Sequence, residues 1–160
     1  MSDASDSTPK PSRRELSSAA RIYAVQALFQ MEAADQSAGR VATEFRNWRI
    51  GVDYEEGTSP EADDVLFGNI LEDAVNWQGR IDQMTDRALV AKWPIARIDP
   101  VLRALFRAAG AELVTGLTPP RVVISEYVAI ADAFFPDGRE IRFVNAVLDQ
   151  MAREAQPDTF

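Results

Sequence analysis

The 160-residue chain contains no cysteine and no histidine. The first absence excludes disulfides and thiol nucleophiles. The second removes Ser-His-Asp triads, and the two together remove zinc sites built on Cys and His. No uninterrupted apolar run reaches the roughly 18 residues of a membrane-crossing helix, and the first 15 residues, MSDASDSTPKPSRRE, lack the apolar stretch of a signal peptide. A cytoplasmic protein without membrane contact is therefore expected. The eight glycines are scattered, and no G-x-x-x-x-G-K loop is present to cradle a phosphate, which argues against nucleotide hydrolysis. Positive charge is scarce as well: 17 Lys and Arg stand against 25 Asp and Glu, a net charge of -8. Such a molecule is repelled by a polyanion at long range, so any nucleic-acid contact must be local and DNA is not an expected partner.

What is present is ordinary for one folded domain, with 46% hydrophobic and 26% charged residues. The opening MSDASDSTPKPS is polar and proline-containing, and residues 1–12 are expected to form a disordered tail ahead of a helical domain spanning 13–156. From Leu16 the pattern changes. Leu16, Ala20, Tyr23, Ala24, Ala27, Leu28 and Met31 recur at steps of three and four, which predicts a helix over about residues 14–35. Val41, Phe45 and Trp48 repeat the spacing in a shorter segment. Six acids between Asp53 and Asp64, with Gly57 and Pro60 among them, read as a solvated loop.

Phe67, Ile70, Ala74, Trp77, Ile81, Met84 and Ala88 then form the most regular stripe in the chain and predict one helix packed along a single seam, stopped by Pro94. The three tryptophans, Trp48, Trp77 and Trp93, sit within or beside apolar patterns, and core packing is expected for each. Asp82 and Asp86, one turn apart, read as a solvated outer face. Asp99-Pro100 combines a capping side chain with a first-turn proline, and Gly116 ends the helix that follows. Thr118-Pro119-Pro120 starts the next by the same logic. Its VVISEYV run is rich in β-branched residues, yet the spacing of Val123, Tyr127, Ala131 and Phe134 favours a helix. After Pro136-Asp137-Gly138, Ile141, Val144, Leu148 and Met151 form a last amphipathic stripe. The class expected is all-α with six or seven helices.

The uneven placement of the bases carries the main functional signal. Lys10, Arg13, Arg14 and Arg21 face only Glu15 between residues 10 and 21, and Arg14, Ser18, Arg21 and Val25 fall on one side of the first helix, off the Leu16/Tyr23 stripe. Guanidiniums and a hydroxyl on one face suit phosphates or splayed bases of single-stranded RNA. Arg139, Arg142 and Phe143 open the last helix, where an aromatic beside cations suits base stacking, although Phe143 suits the core equally. On these residues alone, RNA binding, protein docking and a purely structural role all stay open.

Two stretches, ARIYAVQALF (20–29) and RFVNAVLD (142–149), resemble the opening and closing signatures of the NusB family of transcription antitermination factors. TPPRVVISEYVAIADAFF (118–135) resembles the family's proline-started penultimate helix, and Leu102 to Leu113 its central helix, so the likeness runs over about residues 14–155. It implies two antiparallel three-helix subbundles, no catalysis and no cofactor. It also implies the binding of boxA RNA together with NusE, a small-subunit ribosomal protein, within an RNA polymerase antitermination complex. Carried over by position, the RNA surface includes Arg21, Phe29, Arg142 and Phe143 along with the basic start of the first helix, Arg13, Arg14 and Ser18. The partner surface takes in Leu102, Arg103, Ser125 and Glu126. The chain departs from the family pattern at Ser17, Ser18 and Ala19, where better-known members carry arginines, and at Ser125, where Asn is usual. The alternative from another class is a non-enzymatic protein-interaction module without RNA binding, which would show no salt dependence toward RNA.

Overall fold

In the computed structural model, which describes residues 9–89 and 97–160, seven α-helices carry the fold. They are α1 (Arg13–Ala34), α2 (Ala38–Trp48), α3 (Asp64–Asn76), α4 (Gln78–Ala88), α5 (Pro100–Thr115), α6 (Pro120–Phe134) and α7 (Arg139–Ala155). A two-stranded antiparallel ribbon, β1 (Asp53–Tyr54) and β2 (Gly57–Thr58), lies within the acidic stretch, which is otherwise the exposed loop expected. The expectations for Trp93, Pro94 and most of the amino-terminal tail fall outside the described residues.

Helix α1 begins at Arg13, one residue ahead of the expected start, because Ser12 and Glu15 form a reciprocal capping box. The Ser12 hydroxyl accepts from the Glu15 amide, and the Glu15 carboxylate accepts from the Ser12 amide. Ser12 therefore belongs to the domain. Helix α5 starts and stops where predicted. Asp99 accepts from the Val101 amide, and Gly116 closes the helix at φ 71, a left-handed conformation that only glycine adopts without strain. Helix α6 departs from expectation at its start, since Pro119 is its cap and Thr118 donates instead to a distant carboxylate. The β-branched run in α6 is helical throughout.

The long seam from Phe67 to Ala88 is broken into two helices at Trp77, whose φ of -113 and ψ of 16 leave the helical region. The break spans a single residue, so the spacing of three and four continues through it and hides it from periodicity. Trp77 is left 45% exposed at this corner, and Trp48, at the end of α2, is 74% exposed while Phe45 fills the core position of that helix. The core placement expected for these two tryptophans is thus corrected. Each sits at a helix end, where the neighbouring helix has already turned away.

Helices α1, α2 and α3 pack on one another as one three-helix group, and α5, α6 and α7 form a second, with α4 laid against α5 and α7. Helix α5 also packs on α1 and α3 and so joins the groups. One continuous core results, with Phe45, Phe67, Phe106, Leu105 and Tyr127 among its fully buried side chains. Phe45 stacks on Phe67 and meets Tyr23 edge to face within the first group. The Tyr23 hydroxyl donates to the Pro60 carbonyl at 2.8 Å and anchors the acidic loop.

Two helix-interior glycines give opposite expectations. A Cβ at Gly110 would stand 2.4 Å from Ile81 Cγ2, inside the α4–α5 contact, whereas one at Gly68 would meet only the Arg46 Nη2 at 2.7 Å, the far end of an exposed side chain. Gly110→Ala should lower stability by about 1–3 kcal/mol through overpacking, despite the better helix former. Gly68→Ala should raise it by about 0.5–1 kcal/mol. Urea denaturation of both variants beside the parent checks the two signs together.

Candidate nucleic-acid interface

Arg21 is the only charged residue between Ala19 and Leu28, and Glu112 the only one between Ala108 and Val114. A lone charge in an apolar run needs a partner if both faces of its helix are covered. Helix α1 meets α2 and α3 on one side and α5 and α6 on another, and these two residues meet in that second contact. Arg21 donates from Nε and Nη2 to the two Glu112 oxygens at 2.8 and 3.0 Å, and from Nη1 to Glu126 Oε1 at 3.0 Å. Tyr127 and Thr118 donate to Glu112, and Ser18 donates to Glu126 at 2.7 Å.

Arg21 is 6% exposed and Glu112 5%. Burial by itself would lower the Arg21 pKa, but the hydrogen bonds and charge of Glu112 outweigh it, and the guanidinium is held more firmly protonated than usual. Burial first, and the Glu112 carboxylate second, push the Tyr127 hydroxyl well above its ordinary range. The placement of Arg21 on an open polar face is therefore corrected, and Val25 beside it is buried as well.

A second set of ion pairs ties α1 to α4 and α5. Arg107 forks onto Asp82 at 3.0 and 2.9 Å and reaches Glu32 at 2.8 Å, and Arg103 also binds Glu32 and donates to the Ile98 carbonyl. Asp82 thus braces the fold rather than standing in solvent. Arg103 has most of its donor capacity engaged inside the molecule, and Leu102, 6% exposed, lies in the core. The partner-contact expectation for Leu102 is corrected for that reason, and Arg103 offers no free guanidinium. Of the other two residues expected there, Ser125 is exposed and Glu126 is largely buried against Arg21 and Ser18.

Among the described residues, Lys10, Arg13 and Arg14 form no ion pair and stand exposed at the amino end of α1. Ser18, half-buried, is held by Glu126. Arg14 borders two grooves. One, of about 550 Å³, runs between α1 and α6 and carries Ser17, Arg121, Val122 and Ser125, with Arg21 and Glu126 at its base. The other passes between α1 and residues 58–61 and includes Glu15 and Glu61. Arg121, exposed and without an ion pair, escaped the sequence reading because it is an isolated base at a helix start.

Phe29, 39% exposed, opens into an apolar cleft of about 500 Å³ with Val25, Val101, Phe134 and Phe135, edged by Gln26 and Arg49. Arg142 is exposed on α7. Phe143 is half-buried and meets Phe106 edge to face at 6.2 Å, so it does not stand free on an outer face as its offset from Ile141 and Val144 suggests. Neither Arg142 nor Phe143 lines the α1–α6 groove or the Phe29 cleft.

The molecule is thus a helical domain of two groups, with Arg21 and Arg107 paired between its helices and, among the described residues, a rim of unpaired cations at one helix end. The chain belongs to the NusB family, whose model matches residues 18–153. It is 45% identical to the transcription antitermination protein NusB of Granulibacter bethesdensis over 89% of this chain and 90% of the relative, and 42% identical to that of Maricaulis maris over the whole of both. Among solved structures it is similar to NusB of T. maritima, with a TM-score of 0.69 at 25% identity, covering 94% of this chain and 96% of that one. It is also similar to a chain in a crystal structure of antitermination factors NusB and NusE in complex with dsRNA, with a TM-score of 0.70 at 20% identity over 86% and 96%.

Two predictions follow from the ion pairs. Arg21→Ala leaves Glu112 and Glu126 buried without their cation, and should cost about 3–5 kcal/mol; guanidinium denaturation measures it, and a loss under about 1 kcal/mol would contradict the burial described. Hydrogen bonding by Arg103, followed by its charge and that of Arg107, outweighs desolvation and holds the Glu32 carboxyl below its ordinary range. Stability from this group is fully present above the ordinary glutamate pKa and is lost as pH falls through the lowered folded-state value. Glu32→Gln should therefore flatten the acid limb of a melting-temperature profile, on the acid side of the ordinary glutamate pKa, relative to the parent.

Proposed function

We propose that this chain is a transcription antitermination factor without catalytic function, which binds boxA-type single-stranded RNA jointly with NusE and enters the RNA polymerase antitermination complex in the cytoplasm. The observation that carries this reading is the separation of the cations into two kinds. Arg21 is consumed by the buried Glu112 and by Glu126, and Arg103 and Arg107 by Asp82 and the more exposed Glu32, whereas among the described residues Lys10, Arg13 and Arg14 form no ion pair and stand together at the start of α1. Unpaired guanidiniums are the groups available to exchange counterions for phosphates.

Phe29 adds an aromatic surface next to an apolar cleft, a setting that suits an unstacked base. Arg142 supplies a further cation on α7. The names of the relatives support the transcriptional role, and the complex of NusB and NusE with dsRNA supports NusE as a partner and RNA as the class of ligand. No cofactor enters this reading, and no described helix is long and apolar enough to cross a membrane.

With a net charge of -8 and few unpaired cations, the chain alone should hold RNA weakly. NusE extends the contact surface and raises the affinity. The test is a titration of a boxA oligoribonucleotide with the protein, alone and with NusE, at several salt concentrations. A clear gain in affinity with NusE and a negative salt slope are expected. Equal binding with and without NusE would count against the joint site, and binding indifferent to salt would favour a protein-only module.

A further inference from the structure

Arg14 stands at a fork. On its hairpin side the groove wall carries Glu15 and Glu61, and the strand ribbon beyond it carries Asp53, Glu55 and Glu56, so a polyanion meets like charge there. On its α6 side the wall carries Arg121 and the Ser125 hydroxyl, with Ser17 contributed by α1. The one carboxylate lining that side, Glu126, does not oppose an anion in the same way. Glu126 accepts from Arg21 and Ser18 at Oε1, so one of its oxygens is turned toward internal donors, and its single negative charge faces three guanidiniums on this side.

Among the described residues, Arg14 and Arg121 are the groove's two cations without an ion pair, one from each wall, and Ser17, Ser125 and the apolar Val122 line it with them. Two guanidiniums facing one channel, with hydroxyl donors on both sides, match the oxygens of a phosphodiester and leave a base free to lie on the apolar part.

We propose that the groove between α1 and α6 is a phosphate-binding channel for a single RNA strand, with Arg121 and Ser125 on α6 and Arg14 and Ser17 on α1 as its walls. The channel rests on the reading of the α1 start as the RNA-contacting end. It adds a direction to that reading, for the strand leaves Arg14 toward α6 and away from the acidic ribbon. The buried Arg21 has a positioning part here, since it draws Glu126 Oε1 inward and offsets that carboxylate's charge at the channel floor.

The test compares Arg121→Ala, Arg121→Lys and Arg14→Ala with the parent, using the full chain and a boxA oligoribonucleotide, with NusE at a fixed saturating concentration. Arg121 is exposed, so thermal melting should be unchanged in all three variants. Arg121→Ala should weaken binding about tenfold at low salt, the loss of one charge-assisted phosphate contact, and reduce the slope of log K against log salt by about 0.7. Arg121→Lys should keep the slope. If Arg14→Ala weakens binding while Arg121→Ala changes neither affinity nor slope, the strand does not cross α6 and the channel is refuted, with the RNA-binding function intact. Weaker binding of Arg121→Ala at an unchanged slope would also refute it, since the lost contact would not be to phosphate. If neither alanine variant changes binding, the channel and the RNA-contacting end of α1 both fall.

Discussion

The bidentate pair between Arg21 and Glu112 is the contact on which the remaining arrangement depends. It joins α1 to α5 across a gap of 91 residues in sequence, with the guanidinium and carboxylate both withdrawn from water. An isolated charge in that position would be prohibitive. Four donor side chains and two carboxylates are therefore assembled here, and they come from three helices and the turn before α6. The pair consequently fixes more than a distance. It sets the rotation of α1 about its own axis, because a turn of one residue would carry Arg21 by about 100° away from its carboxylates and leave them unmatched.

That rotation decides which cations remain at the surface. With Arg21 pointing to α5, the residues one and two turns earlier, Ser17 and Arg14, follow the edge of the α1–α6 contact and reach solvent. The ion pairs of Arg103 and Arg107 do the equivalent work at the other end of α1, where Glu32 is held against α5 and α4 is bound through Asp82. The internal polar contacts and the external cationic rim are thus two results of one packing solution. A chain with an overall negative charge can keep a nucleic-acid contact only if its positive groups are divided in this manner, some neutralised within and a few left together outside.

Helices were readable because each announces itself within about four residues, and the capping box at Ser12, the Asp99-Pro100 start and the Gly116 stop all act at that range. The bend at Trp77 was not readable, since one non-helical residue leaves the apolar spacing intact. Arg21 was assigned to an open face for a related reason. Helical periodicity compares the faces of one helix, whereas the partners of Arg21 lie in α5 and α6, and only the apolar surroundings of Arg21 and Glu112 hinted that both faces are covered. The position of Thr118 before two prolines looked like a cap for the same local reason, while its hydroxyl is taken by Glu112. The exposed members of the candidate site, Arg13, Arg14, Phe29 and Arg142, stood out as residue types. The groove that gives Arg121 its place exists only once α1 and α6 are side by side.

Helix α5 touches five of the other six helices, including members of both three-helix groups. No subset of the molecule can open while keeping it folded on all its neighbours, so its amide protons should exchange with solvent only when the whole domain unfolds. The ribbon at 53–58, held to the body through the Tyr23 hydroxyl and the loop backbone, has no comparable constraint. Slow exchange in α5 should therefore measure the free energy of opening the whole described helical core, while the ribbon's amides should exchange sooner.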